Sequence, residues 1–207
     1  MRPLPRLHAV TDANVIAADD FPVRAAAIAA AGSAVALHAR DRSAGGAALA
    51  RLAQRLLALA RPPEAAVIVN GRPDVAGAVG AHGVQLGGRD LRPADARASL
   101  PHGWIGRSVH SAADAEEAAR EGADYLLVGN VYETTSHPDR PAKGLDLVRA
   151  AASLGLPVIA IGGIDAARAT AAREAGAYGV AAIAALWRAP DPAAAALSLL
   201  APWSESA

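Results

Sequence analysis

The chain has 207 residues, 53 % of them apolar and 19 % charged, which is enough to bury a sizeable core and excludes a disordered polymer. Twenty basic and twenty acidic side chains cancel to a formal charge of zero, so neither nucleic acid nor an anionic membrane is expected as a partner. Cysteine is absent, which excludes disulfides, thiolate zinc sites and cysteine nucleophiles. Met1-Arg-Pro-Leu-Pro-Arg6 lacks the apolar run of a signal peptide and no segment reaches membrane-spanning length, so a cytoplasmic protein is expected.

Short apolar runs alternate with helical patterns along the chain. Leu7–Asp12 reads as a first strand, and Phe21–Ala31 as a helix closed by Gly32. A second strand over Ala34–Ala39 meets the charged cluster Arg40-Asp-Arg42. The helix predicted from Gly46 to Arg61 puts Leu49, Leu52, Leu56 and Leu59 on one face and stops at Pro62-Pro63. The third strand is Ala65–Asn70, followed by Gly71 and a helix over Pro73–Val79 with proline in its first turn. Gly83–Gly87 is the fourth strand, Pro93–Leu100 a short helix and Trp104–Val109 the fifth strand.

Ser111 is placed to N-cap a helix over Ala112–Glu121. The sixth strand, Tyr125–Gly129, is followed by a long polar connection from Asn130 to Lys143. Connections of this kind usually run about 2–6 residues, and longer ones are often functional. Then come helix Leu145–Leu154, strand Pro157–Ile161 with the turn Gly162-Gly163, helix Asp165–Ala175, strand Gly179–Leu186 and helix Pro192–Leu200.

Strands that are apolar throughout are covered on both faces and belong to a parallel sheet. Eight βα repeats with no linker or composition break predict an α/β fold, a single-domain (β/α)8 barrel over residues 1–207; an open doubly wound sheet is the alternative. In such a barrel the chemistry sits at the C-terminal ends of the strands.

Three features stand there. Gly162-Gly163 follows the seventh strand, where glycines let backbone N–H groups approach a phosphate; the competing reading is a tight turn. His38, Arg40 and Arg42 form a basic group suited to phosphate oxygens, although for Arg42 taken alone a solvated pairing with Asp41 is the better reading. His110 ends the fifth strand and is the candidate acid/base group; a histidine there also serves to cap a backbone group. His8, His82 and His102 read as structural. Asp12 and Asp90 lack the paired spacing of a metal site, so no metal is favoured.

Taken together, His8-Ala-Val-Thr-Asp12, Leu37-His-Ala-Arg-Asp-Arg42, Val69-Asn-Gly-Arg72, Gly83-Val-Gln-Leu86, Ile105-Gly-Arg-Ser-Val-His-Ser111, Gly129-Asn-Val-Tyr-Glu-Thr134 and Ile159-Ala-Ile-Gly-Gly-Ile164 resemble the thiamine phosphate synthase and thiazole tautomerase superfamily. The resemblance implies a (β/α)8 barrel acting on thiazole phosphates of thiamine synthesis. Its synthase branch joins a pyrimidine methyl diphosphate to a thiazole phosphate with magnesium and releases pyrophosphate. Against that pattern the chain has Gly71 where a second metal aspartate is expected, and His137 where the sixth loop carries a lysine. Asp90 matches the other metal aspartate, and Arg40, Asn70 and Ser108 match diphosphate contacts.

The tautomerase branch needs only a phosphate anchor, an apolar slot and one acid/base group. Asn70-Gly71-Arg72, Gln85 and Ser108-Val109-His110 resemble it more closely, although the sixth loop is not the lysine-rich form of a typical member. The chain is therefore expected to be a metal-free isomerase with His110 as proton shuttle and no cofactor. The substrate contacts that the resemblance implies are His38, Arg40, Arg42, Asn70, Ser108, Thr134, Ser136, His137, Gly162, Gly163, Ile183 and Ala184. Magnesium at Asp90 belongs to the alternative, the synthase, and a non-catalytic binder of a thiamine intermediate is a third reading. A small thiazole phosphate is the expected partner, and the sequence leaves homo-oligomerisation open.

Overall fold

Apolar residues on both faces of every strand leave a parallel sheet two ways to bury itself, and here it closes. In the computed structural model, which describes residues 2–60, 64–134 and 141–204, eight parallel strands form a barrel in chain order. They are β1 (Leu7–Val10), β2 (Val35–Ala39), β3 (Ala66–Asn70), β4 (Gly83–Leu86), β5 (Trp104–Val109), β6 (Tyr125–Val128), β7 (Val158–Ile161) and β8 (Gly179–Ala182). Closure is the pairing of β1 with β8, with Leu7 opposite Val180 and Ala9 opposite Ala182. An open doubly wound sheet is thereby excluded.

The helices are α1 (Ala13–Ala17), α2 (Phe21–Ala29), α3 (Gly46–Leu59), α4 (Pro73–Val79), α5 (Pro93–Ala96), α6 (Ala112–Arg120), α7 (Gly144–Ala152), α8 (Ala166–Glu174), α9 (Ala184–Trp187) and α10 (Pro192–Leu200). No helix among the described residues is long and apolar enough to cross a membrane. Side chains alternate across each strand. Leu7, Ala9, Val35, Leu37, Val67 and Val69 face outward and pack under the helices, against residues such as Leu49, Leu52 and Leu56 of α3. Val10, Ala36, Ala66, Ile68, Trp104, Tyr125, Leu127, Ile159 and Ala181 face inward and fill the barrel. Small residues at Ala36, Ala66, Ala181 and Gly106 leave room there for the rings of His8, His38 and Tyr125, all fully buried.

Three boundaries differ from expectation. The strand expected to run to Leu186 ends at Ala182, where the chain turns at Ile183 (φ −109°, ψ −79°) into α9. The apolar Ala-Ala-Leu-Trp run fits a buried helical turn as well as a strand, and β1 offers β8 no partner beyond Ala9. α1 is not expected from the sequence; Asp12 starts it by accepting from the Val15 N–H. α5 is shorter than expected and ends at Ala96. The predicted stop at Pro62-Pro63 lies outside the described residues.

Candidate active site

The strand ends gather the polar residues at one mouth. Asn70 closes β3 and lies beside Gln85 of β4, which in turn pairs with Gly106 of β5. Gln85 donates from Nε2 to Ser108 Oγ at 3.0 Å, so Ser108 is anchored from below with its hydroxyl still half-buried at the mouth. Between β1 and β2, Thr11 ties the two loops: its hydroxyl meets the carbonyls of His38 and Arg40 at 2.9 Å each and accepts from the Arg40 N–H at 3.0 Å. That anchorage brings Arg40 back over the rim, with Nη1 3.3 Å from Thr11 O.

Arg40, Arg42 and Arg188 line one cavity of about 430 Å³ together with Asp12, Asp41 and Ile183. Burial, then the neighbouring Arg42, weakens the hold of Arg40 on its proton, while Asp12 and Asp41 oppose that shift. An anion entering this cavity would relieve the Arg40–Arg42 repulsion. Arg188, at the end of α9, escapes the sequence reading because it follows a run that reads as one long strand. Thr11 escapes it because it passes for a turn former.

The glycine pair has two jobs. Gly162 and Gly163 both take positive φ (104° and 63°), and a Cβ on either would collide with the segment after β6: 2.6 Å from Asn130 Cβ and 2.5 Å from Glu133 O. Both the tight turn and close packing are therefore real. The backbone N–H groups of Gly162, Gly163, Ile183 and Ala184 meet no described backbone or side-chain acceptor. They present donors at the ends of β7 and β8, as an anion site requires. Thr134 lies half-buried beyond them, whereas Ser136 and His137 fall outside the described residues.

His38 departs from its expected role. It is fully buried inside the barrel, with Nε2 2.8 Å from His8 Nδ1 and Nδ1 3.0 Å from Asn70 Oδ1, so neither nitrogen is left for a phosphate. Burial pushes its pKa down to about 4, with the Asn70 contact opposing and Arg40 adding to the shift. His8, read as structural, is its buried partner; His82 is structural as expected, its Nδ1 facing the Val67 N–H at 3.1 Å. His110 is exposed at the rim, and its Nδ1 makes a short contact with the Gly129 carbonyl. Nδ1 must carry the proton there, which leaves Nε2 as an acceptor.

Asp90 is exposed and accepts from the Gly87 N–H at 2.6 Å. A Cβ at Gly71 would lie 3.4 Å from Asp90 Oδ2, so this is where a second carboxylate would converge, and glycine supplies none. Among the described residues no cluster of three metal-ligating side chains occurs. Magnesium commonly sits on one or two carboxylates plus substrate phosphates. Asp90 fits that sparse form of site but not a cage built by protein alone.

A closed barrel carrying a cationic cavity and open backbone donors at its C-terminal mouth has the architecture of (β/α)8 proteins whose sites suit phosphorylated ligands. The family model TMP-TENI, thiamine monophosphate synthase, matches residues 7–186, and the chain belongs to that family. It is 47 % identical over 150 residues to a thiamine-phosphate synthase of Thermus thermophilus, covering 72 % of each chain. With the synthase of Chloroflexus aurantiacus it is 40 % identical over 199 residues, 95 % of this chain and 91 % of that one. A solved thiamine phosphate pyrophosphorylase from Pyrococcus furiosus superposes with a TM-score of 0.82 at 33 % identity, covering 98 % and 96 % of the two chains.

These relatives overturn the expected isomerase. The tautomerase reading leans on single positions, chiefly His110 and the glycine after Asn70, whereas the likeness to synthases runs through 95 % of the chain. His110 also turns out to be fastened through one ring nitrogen to the end of β6.

Proposed function

We propose that the protein is a thiamine-phosphate synthase, a transferase that joins a pyrimidine methyl diphosphate to a thiazole phosphate. The observation that carries this reading is the 40 % identity over 95 % of the chain to a protein of that name. In the reaction the thiazole ring nitrogen bonds to the pyrimidine methylene carbon. The carbon–oxygen bond to the diphosphate breaks, and its electron pair leaves as pyrophosphate.

Charge develops on the leaving diphosphate, and the residues around the cavity meet it. Arg40 is held over the rim by Thr11, and Arg42 and Arg188 share the same 430 Å³ space. Ser108, fixed from below by Gln85, offers its hydroxyl to the same group. Preorganised donors of this sort are worth several kcal/mol in a water-poor site, roughly 3 kcal/mol each in measured cases. The thiazole phosphate lies against the open N–H groups of Gly162, Gly163, Ile183 and Ala184, with Thr134 beside it. His110 ties the end of β5 to the segment after β6 through Nδ1, and Nε2 is the ring nitrogen left over to meet a substrate. Asp90 is the residue that would hold magnesium arriving with the diphosphate, and the ion would there supply further neutralisation of the leaving group.

The test is to incubate purified protein with both substrates and measure pyrophosphate and thiamine phosphate with and without magnesium. Magnesium-dependent release of both products is expected, with Arg40→Ala lowering turnover at least a hundredfold. Folded protein that binds thiazole phosphate yet releases no pyrophosphate under either condition would overturn the assignment in favour of a non-catalytic binder.

A further inference from the structure

Two successive glycines give the turn after β7 the least restrained backbone a chain can have. They are glycines by necessity: a Cβ on Gly163 would lie 2.5 Å from Glu133 O. Donors aimed at a ligand need a fixed backbone, so the restraint has to come from outside the turn. Three hydrogen bonds supply it. Val131 N–H donates to Ile161 O at 2.8 Å and Tyr132 N–H to Gly162 O at 3.0 Å. From α8, Arg168 Nη1 donates to Gly163 O at 2.6 Å. The same guanidinium lies over the Tyr132 ring, 4.7 Å from its centroid. We infer that Tyr132 and Arg168 are positioning residues, a clamp that holds the segment after β6 on the glycine turn and so aims its N–H groups.

The aim follows from peptide planarity. Both peptide bonds of the turn, Ile161–Gly162 and Gly162–Gly163, are trans. In a trans peptide the carbonyl and the N–H point in opposite directions. Val131 and Tyr132 hold the carbonyls of Ile161 and Gly162 on their own side. The N–H groups of Gly162 and Gly163 must therefore face away from that segment. The other neighbour of β7 is β8, and beyond its end stand the open N–H groups of Ile183 and Ala184. Bonds made on one side of the turn thus present its donors on the other.

Each half of the clamp has its own anchorage. The carbonyls of Asn130 and Val131 accept from Lys143 N–H at 2.8 Å and Gly144 N–H at 3.0 Å, which ties the segment to the start of α7. Arg168 is set by its helix. Asp165 caps α8 by accepting from the Arg168 N–H at 2.9 Å, and its carboxylate lies 3.8 Å from Arg168 Nε. Carbonyl, ring and carboxylate therefore engage the guanidinium together, and its place is behind the donors as their support.

The consequence is a link between ligand and chain. A phosphate on the glycine N–H groups favours the turn that Val131 and Tyr132 hold, and by the same free energy their bonds favour the phosphate. Binding there steadies the start of the connection from β6 to α7. This deepens the synthase reading and rests on it for the identity of the phosphate.

Amide exchange in the ligand-free protein tests the clamp whatever the enzyme does. Arg168→Ala is expected to speed exchange at the Tyr132 N–H about tenfold while amides within α6 stay unchanged. Arg168→Lys still donates and still places a cation over the ring, so it should remain within about threefold of wild type. Unchanged exchange at Tyr132 in Arg168→Ala would overturn the inference. Ligand binding tests the consequence. Arg168→Ala and Tyr132→Leu are each expected to weaken the thiazole phosphate about tenfold, and the double variant no more than the worse single one. Pyrophosphate with magnesium should change less than about twofold in all three. A loss in Arg168→Ala with none in Tyr132→Leu would mean that the guanidinium meets the phosphate itself, and would sink the clamp. Equal losses for both ligands would do the same. Wild type that binds thiazole phosphate yet couples no substrates, with these differences intact, would remove the synthase reading alone.

Discussion

Two buried histidines make the protein sensitive to acid, and the sign follows from their shifts. Burial lowers both folded pKa values, that of His38 to about 4, from an ordinary 6.5. The unfolded chain therefore takes up protons below about pH 6.5 that the folded chain refuses. Stability is complete above that pH and falls as pH drops toward 4, by up to about 1.4 kcal/mol per unit for each ring. The urea midpoint is expected to fall markedly between pH 7 and about pH 5, and a His8→Gln/His38→Gln variant should lose most of that slope. His82 is shifted the same way, so the difference between the two proteins isolates the pair. A midpoint in wild type that is flat over this range would show that the fold does not hold the two rings neutral. Neither histidine's setting was legible in the sequence. Leu7-His-Ala-Val and Val-Ala-Leu-His-Ala reveal that the rings sit on strands, but not that strand parity turns both inward. For the same reason Arg40 was readable as a rim residue while His38 was not readable as an internal one.

At the level of elements, the eight strands were evident because each is a short, mainly apolar run ended by polar or glycine residues, even where a His, Gln or Arg interrupts it. The short helices were not, since α1 and α9 have too few residues to show a period. Capping was legible where one residue type decides it. Ser111 accepts from the Asp114 N–H at 3.1 Å, and Asp114 accepts from the His110 N–H at 2.9 Å, so the start of α6 also restrains the end of β5. Removing the cap by Ser111→Ala is expected to cost about 1 kcal/mol. Because the reciprocal bond holds the backbone of His110, the variant should also show faster amide exchange at His110 than at residues in the middle of α6. Thermal melts and hydrogen exchange measure the two effects. Loss of stability with unchanged exchange at His110 would separate the cap from the active-site rim.

The barrel as a whole depends on how little side chain some strands bring to its axis. Tyr125 is fully buried there beside His8, and Gln85 lies under the mouth. Both use the space that Gly106 leaves: a Cβ on Gly106 would overlap Tyr125 Cζ and Gln85 Oε1. The barrel interior is therefore plugged by rings and amides, and ligands reach the site only from the C-terminal face. None of this could be seen from the sequence, where Ile105-Gly-Arg marks a strand and its glycine has no visible reason. One methyl group at that point forces either the tyrosine ring or the β4–β5 pairing to move, and neither has free volume to take up. Gly106→Ala is thus expected to destabilise by roughly 3 kcal/mol or more, at or beyond the usual range for overpacking. Gly88→Ala, with nothing within 4 Å of the added carbon, should cost far less. Tyr125→Leu removes the ring from the clash, so the double variant Gly106→Ala/Tyr125→Leu should be more stable than the sum of the two single losses predicts. Strict additivity in denaturant titrations would mean that the ring and Gly106 do not compete for the same space.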